Sequence, residues 1–257
     1  MLKLNQTPLI TPPTFHDPSL NPTWSHHVWV ATGCTTVLFS LANAVVYGST
    51  HSHTWLKTIL AGFIGYLFVD LFSGVYHWVF DNYGDFSIPI LGSHIDTFRR
   101  HHELPWATTK RQFSSNLHVA ARIITHVVPP MNLIWHDQPA VMGFVGMFSG
   151  GVLFAVQIHA WAHESKSKLP AMVVALQDAG VVIAQSRHAA HHRSGDSSYC
   201  IVSGVWNRVL DEYKVFAGLE KVVFFVLGVQ PRSWSEANSG GTAAMATPEA
   251  YFEPSPP

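Results

Sequence analysis

Seventeen of the 257 residues are histidine, and eight of these fall in four groups whose spacing suits metal ligation. The densest is Arg187-His188-Ala189-Ala190-His191-His192, in which His188, His191 and His192 stand at i, i+3 and i+4 and share one face if the segment is helical. His159 and His163 form H-A-W-A-H at i, i+4, His101 and His102 are adjacent, and His77 closes a long apolar run. Eight imidazoles exceed the four ligands that one zinc takes. They suit two ions, and iron is among the metals that imidazole binds well. Each group alone arises easily in a chain so rich in histidine, so a scatter of surface or interfacial histidines is the alternative.

Polar companions fit a supporting shell, in which a carboxylate or amide orients the far nitrogen of a ligand ring. Asp70 lies seven residues before His77 and Asp81 four after it, so all three share a helical face. Asp81 is the better placed of the two. Asp178 is a companion for the His188–His192 stretch, or else caps its own segment or faces water. Asn116 is a candidate to hold a metal-bound water.

The elements that carry these groups are apolar. The chain is 47% hydrophobic and only 12% charged, against about 25% charged in an average soluble domain, so it cannot cover itself with charge and a membrane is the first expectation. His27 to Gly48, Trp55 to Phe80 and Pro139 to Ala162 each have the length to cross about 30 Å of hydrocarbon. Leu117 to Trp135 is apolar but carries Arg122, His126 and the break Pro129-Pro130; Leu169 to Gln185 is apolar around Asp178. If the histidines ending the second and the Pro139 spans act together, both ends lie on one side, and the chain crosses once between them through Leu117 to Trp135. By the same parity Leu169 to Gln185 lies in the interface or dips in and returns. The expected fold is therefore an all-α integral membrane protein of about four transmembrane helices with a histidine-rich cap on one membrane face. Ionisable groups gathered beside lipid are costly and usually mark a site, which favours the metal reading over the scatter.

Residues 1–25 read as a Pro-, Thr- and Ser-rich tail or remnant transit segment, 26–230 as the membrane domain and 231–257 as a loose tail. Of the 15 Lys and Arg, only Lys57 adjoins a far-side loop, so the positive-inside rule turns the histidine face to the cytosol or the plastid stroma. His51 and His53 fall in that far-side loop and are excluded from the site; His118 and His126 are taken as structural. Arg99, Arg100, Lys110 and Arg111 are candidates for a lipid phosphate, with ordinary juxtamembrane charge as the alternative. A net charge of -1 and the lack of a basic run argue against nucleic acid. Cys34 and Cys200 are too few for a disulfide framework or an iron–sulfur cluster.

The runs D-L-F-S-G-V-Y-H-W-V-F-D-N-Y-G-D (70–85), F-R-R-H-H-E-L-P-W-A-T-T-K-R-Q-F-S-S-N-L-H (98–118), H-A-W-A-H, R-H-A-A-H-H and Y-C-I-V-S-G-V-W-N (199–207) strongly resemble the CarF family of lipid desaturases. Within it the likeness is to the plant branch, fatty acid desaturase 4 and its like proteins, over about residues 24 to 230. The resemblance implies a plastid membrane enzyme that inserts a trans double bond at carbon 3 of the palmitoyl chain of phosphatidylglycerol, with O2 as co-substrate. It implies His77, His101, His102, His159, His163, His188, His191 and His192 as ligands of two irons. With no H-P-G-G stretch, G-x-G-x-x-G fingerprint or cysteine cluster in the sequence, electrons must come from a separate donor, ferredoxin in a plastid. Alternatives are the sister reaction that makes the vinyl ether of plasmanyl lipids, a membrane metal or haem carrier with no enzymatic activity, and a copy with eroded activity; for location, the alternative is the endoplasmic reticulum membrane.

Overall fold

The computed structural model describes residues 21–49, 52–89, 92–103 and 109–236, except the side chains of Ser52, His53, Ser93, His94, Arg100 and Glu103. Among the described residues all regular structure is helical. Four long helices form a bundle: α1 (Trp24–Gly48), α2 (Ser52–Asn82), α4 (Phe113–Trp135) and α5 (Pro139–Ala162), with the shorter α3 (Gly92–Glu103) between the second and third. By length and composition α1, α2 from Thr54, and α5 are apolar enough to cross a membrane. α4, at 23 residues, is about 34 Å long and completes the bundle. The helix runs unbroken through Pro129 and Pro130, where the sequence suggested a break.

Chain direction follows from the contacts. His27 meets Ser114, and His26 stacks on His118, where α1 and α4 begin. Tyr47 meets His136 where they end. α1 and α4 therefore run away from one end of the bundle and α2 and α5 run back to it, as the parity argument requires. The helices approach closely through small residues, as bundles in lipid do: a Cβ on Gly33 would lie 2.9 Å from that of Ala121, and one on Gly65 would lie 2.7 Å from the Phe144 carbonyl oxygen. The core between α1, α4 and α5 is aliphatic, built on Val37, Leu117, Ile124, Met142 and Leu153. One buried polar link, Ser40 Oγ donating to Asn132 Oδ1 at 2.7 Å, sits toward the far end.

The cap follows α5. A 3₁₀ turn (Lys166–Lys168) leads to α6 (Ala171–Asp178), whose 8 residues span about 12 Å, too short to cross. Then come α7 (Gln185–Ser194), α8 (Asn207–Glu212), α9 (Val215–Leu227) and α10 (Ser233–Glu236). The ordered chain continues past the boundary expected at residue 230. Pro231 is fully buried and Ser233 nearly so, because Arg232 donates to the backbone carbonyls of Phe80, Asp81, Tyr83 and Gly84 at the end of α2. Residues 1–20 and 237–257, expected as tails, lie outside the described residues.

Candidate metal centre

Four elements deliver the eight histidines to one end of the bundle. α2 brings His77, α3 His101 and His102, α5 His159 with His163 at its C-terminus, and α7 His188, His191 and His192. They sort into two sets of converging ligand atoms: His101, His159, His163, His188 and His192 form one, and His77, His102, His191 and the carboxylate of Asp81 form the other. The i, i+4 pair of α7 serves the first set and the i+3 residue the second, and the adjacent His101 and His102 are likewise divided. The sets abut, with the rings of His77 and His159 5.6 Å apart.

Hydrogen bonding alone does not account for the first set. His188 Nε2 stands 2.8 Å from His159 Nε2, 2.9 Å from His163 Nε2 and 3.1 Å from His192 Nε2. A neutral imidazole nitrogen has one proton or one lone pair, so it cannot bond three others. Nitrogens about 2.1 Å from one ion stand about 3.0 to 3.4 Å from each other at octahedral or tetrahedral angles, and the set is spaced accordingly. In the second set Asp81 Oδ2 lies 3.2 Å from His77 Nε2, 3.2 Å from His102 Nε2 and 3.4 Å from His191 Nε2. His77 Nε2 and Asp81 Oδ1 are buried without a hydrogen-bond partner. Buried orphans of this kind call for an occupant, and the donor set, eight imidazoles and one carboxylate, fits iron.

Backbone carbonyls fix two of the rings. His77 Nδ1 donates to Tyr199 O at 3.1 Å and His191 Nδ1 to Ser197 O at 2.7 Å, which leaves each Nε2 lone pair for a metal. Outside the spans, burial and the neighbouring imidazoles keep the rings neutral. His101 and His188 are held well below the usual histidine range, His163 is pushed down to about 3, and His192 is lowered as well. A neutral ring is the ligating form.

The loop that supplies these carbonyls is anchored by Asp70, which has a different task from the one expected of it. Its Oδ1 accepts from the backbone N–H groups of Val202, Ser203 and Gly204 at 3.2, 2.7 and 3.0 Å, and its Oδ2 from Trp206 N at 3.4 Å. Asn207 closes the same turn through both backbone groups of Cys200. The motif Tyr199–Asn207 is thus a clamp holding the loop on α2, and Asp70 orients His77 through it rather than by touching the ring. Asp178 pairs with Lys166 at the surface and is not brought to the imidazoles. Asn116 donates to Gln157 Oε1 at 3.0 Å, one half-turn before His159, and its own Oδ1 is buried and unpartnered.

Arg99 and Lys110 are exposed and Arg111 half-buried; the side chains of Arg100, His94 and His53, and all of His51, lie outside the described residues. Residues that sequence reasoning passed over are Tyr199, Ser197, Asn82, Arg232 and Glu220. Asn82 donates to Tyr199 Oη and accepts from Ser233 N. Glu220 is buried and accepts from Trp78 Nε1, Ser233 Oγ and Trp234 Nε1. A lone carboxylate inside the apolar run 215–227 was the available signal, since such a group is retained only with partners.

Comparison with known proteins agrees with this geometry. Residues 66–234 match the lipid desaturase domain, a stretch that contains every histidine of both sets. The chain is 52% identical to fatty acid desaturase 4-like 2, chloroplastic, of Arabidopsis thaliana over 231 residues, 90% of this chain and 82% of that protein. It is 55% identical to fatty acid desaturase 4, chloroplastic, of the same plant over 218 residues, 84% and 67% of the two chains. Against the plasmanylethanolamine desaturase of Myxococcus xanthus it is 30% identical over 222 residues, 80% and 74%. No solved structure matches. With paired histidine sets at the end of a membrane bundle, inside a domain match that covers most of the chain, this protein belongs to the lipid desaturase family, oxidoreductases acting on lipids.

Proposed function

We propose that this protein is a di-iron acyl-lipid desaturase of a chloroplast membrane that places a trans double bond at carbon 3 of palmitate in phosphatidylglycerol. The observation that carries the reading is the pair of abutting ligand sets, five imidazoles in one and three imidazoles with Asp81 in the other. The chloroplast and the substrate class are drawn from the plant relatives' names, and the positive-inside rule turns the histidine end to the stroma.

Bound iron would activate O2 and so allow hydrogen to be removed from an unactivated CH2. The balance is one CH2–CH2 unit, O2, two electrons and two protons giving CH=CH and two waters, with the electrons supplied by a separate donor of the ferredoxin kind. His101, His159, His163, His188 and His192 would hold one ion, and His77, His102, His191 and Asp81 the other. The Tyr199 and Ser197 carbonyls keep His77 and His191 in the ligating tautomer. Asn116, with its unpartnered Oδ1 beside Gln157, is suited to hold a water on the bundle side of the site. Burial of the cluster at the end of the apolar bundle excludes bulk water while an acyl chain lies along the helices. Arg99, Arg100, Lys110 and Arg111 would meet the phosphate outside.

Expression with a ferredoxin system, followed by lipid analysis, tests the reading. Trans-3-hexadecenoyl phosphatidylglycerol is expected; no new lipid from iron-loaded protein overturns the substrate assignment, and a vinyl ether product moves it to plasmanyl lipids. A haem absorption band, or zinc in place of iron, would favour a carrier. His101→Ala and His191→Ala should abolish product while His51→Ala and His53→Ala retain it; equal loss in all four refutes the site.

A further inference from the structure

Neither α1 nor α4 contains an aspartate or glutamate, yet α4 carries an exposed arginine, Arg122, on its outward side. Its neighbours there are Val119, Ile123 and Val127, 49%, 56% and 54% exposed, side chains suited to lipid. The next acidic residue along the chain, Asp137, is 15 positions on, about 22 Å toward the far end of the bundle. Among the described residues no carboxylate lies against Arg122, which leaves its charge open to an anion of the surrounding lipid. A cation on a lipid-facing helix is costly unless it finds one.

The surroundings form a site. His118 and His126 stand one turn before and one turn after Arg122 on the same face of α4. The ring of His26 stacks on His118 at 3.8 Å, and the indole of Trp29 lies 5.5 Å from His126. Arg111 and Arg122 are both within electrostatic reach of His118. The Nδ1 atoms of His118 and His126 donate to the carbonyls of Ser115 and Arg122 at 3.0 and 2.7 Å, so Nε2 of each neutral ring is an acceptor, and the guanidinium of Arg122 is the group that would donate to a phosphate. Arg122 lies five residues after Leu117, where the apolar part of α4 begins, about 7.5 Å along the helix, a depth from which a long side chain reaches the headgroup layer while its stem stays in the apolar zone.

We propose that this face of α1 and α4, centred on Arg122, binds the phosphate of an anionic phospholipid. Guanidinium groups pair with phosphate oxygens bidentately, and the flanking Val119, Ile123 and Val127 line the path of the acyl chains, which a free phosphate would not use. The site is separate from the metal sets: Asn116, on the inward side of α4, faces Gln157 of α5. The proposal rests on α4 crossing the bilayer.

Delipidated protein offered mixed micelles of equal phosphatidylglycerol and phosphatidylcholine, with bound lipid counted by native mass spectrometry, tests it. Wild type should prefer phosphatidylglycerol by about fivefold to tenfold, the scale of one basic residue at an anionic surface. Arg122→Gln should lose one bound phosphatidylglycerol per chain while keeping any held at the metal-centre face, Arg122→Lys should keep part of it, and Arg208→Gln, an exposed arginine elsewhere, should leave the count intact. Equal retention by wild type, full retention by Arg122→Gln or equal loss in Arg208→Gln overturns the proposal. So does complete displacement by inorganic phosphate, which would assign the site to the free ion. Iron content of the same preparations reports the metal centre separately, so normal iron with no lipid preference defeats this proposal alone.

Discussion

Asp81 decides how asymmetric the metal centre is. Its Oδ2 stands nearly equidistant from three Nε2 atoms, a position from which a carboxylate can bind an ion as well as orient a ring, and we propose that it is a ligand. Asp81→Asn should weaken the ion of that set by at least the 10- to 100-fold typical of disturbed metal surroundings, measured by chelator competition, while the five-imidazole set keeps its ion. The neutral histidines also set a pH dependence in metal-free protein. The unfolded chain takes up protons near 6.5, whereas folded His163 does so only near about 3, and His101, His188 and His192 are lowered too. Below 6.5 the unfolded state therefore binds more protons, and stability falls as pH drops through that window. Melting curves in detergent should be flat above that pH and shift down on acidification to about pH 5; an unchanged Tm would contradict the burial of neutral rings. The eight histidines were legible because their spacing repeats helical periodicity. The carbonyls of Ser197 and Tyr199 were not, because any residue type supplies a carbonyl and only the loop path aims it.

Among the elements, the end of α2 is the most heavily tied. It bears His77 and Asp81, and it is fastened from one side by the Asp70-anchored loop and from the other by Arg232 and the segment after residue 230. Arg232→Ala removes four donated bonds to the carbonyls of residues 80–84, each worth about 1.5–3 kcal/mol when charge-assisted and less where solvent reaches. The expected result is a lower Tm and selective loss of the ion bound with Asp81, read as a fall in iron per chain; unchanged iron would show that the clamp is dispensable. This strap escaped sequence reasoning because Ser-, Gly- and Pro-rich composition signals a loose tail, and a single arginine with carbonyl partners leaves no periodic trace. The long apolar runs, by contrast, were readable from composition, and even Leu117 to Trp135 was placed by parity alone.

At the scale of the whole molecule, four antiparallel helices hold a polar, metal-ready end against a long apolar body. Single cysteines at Ser49 and Lys110, where the bundle's opposite ends lie, should be labelled by an impermeant reagent from opposite faces of sealed vesicles; labelling from one face would break the topology. What joins the levels is the division of nine side chains into two sets, since every supporting contact described above serves one or the other. Iron per chain in purified, reconstituted protein tests that division most directly. Two irons are predicted, with one remaining in Asp81→Asn and one in His163→Ala; a single iron in wild type, or both retained in either variant, would contradict the account.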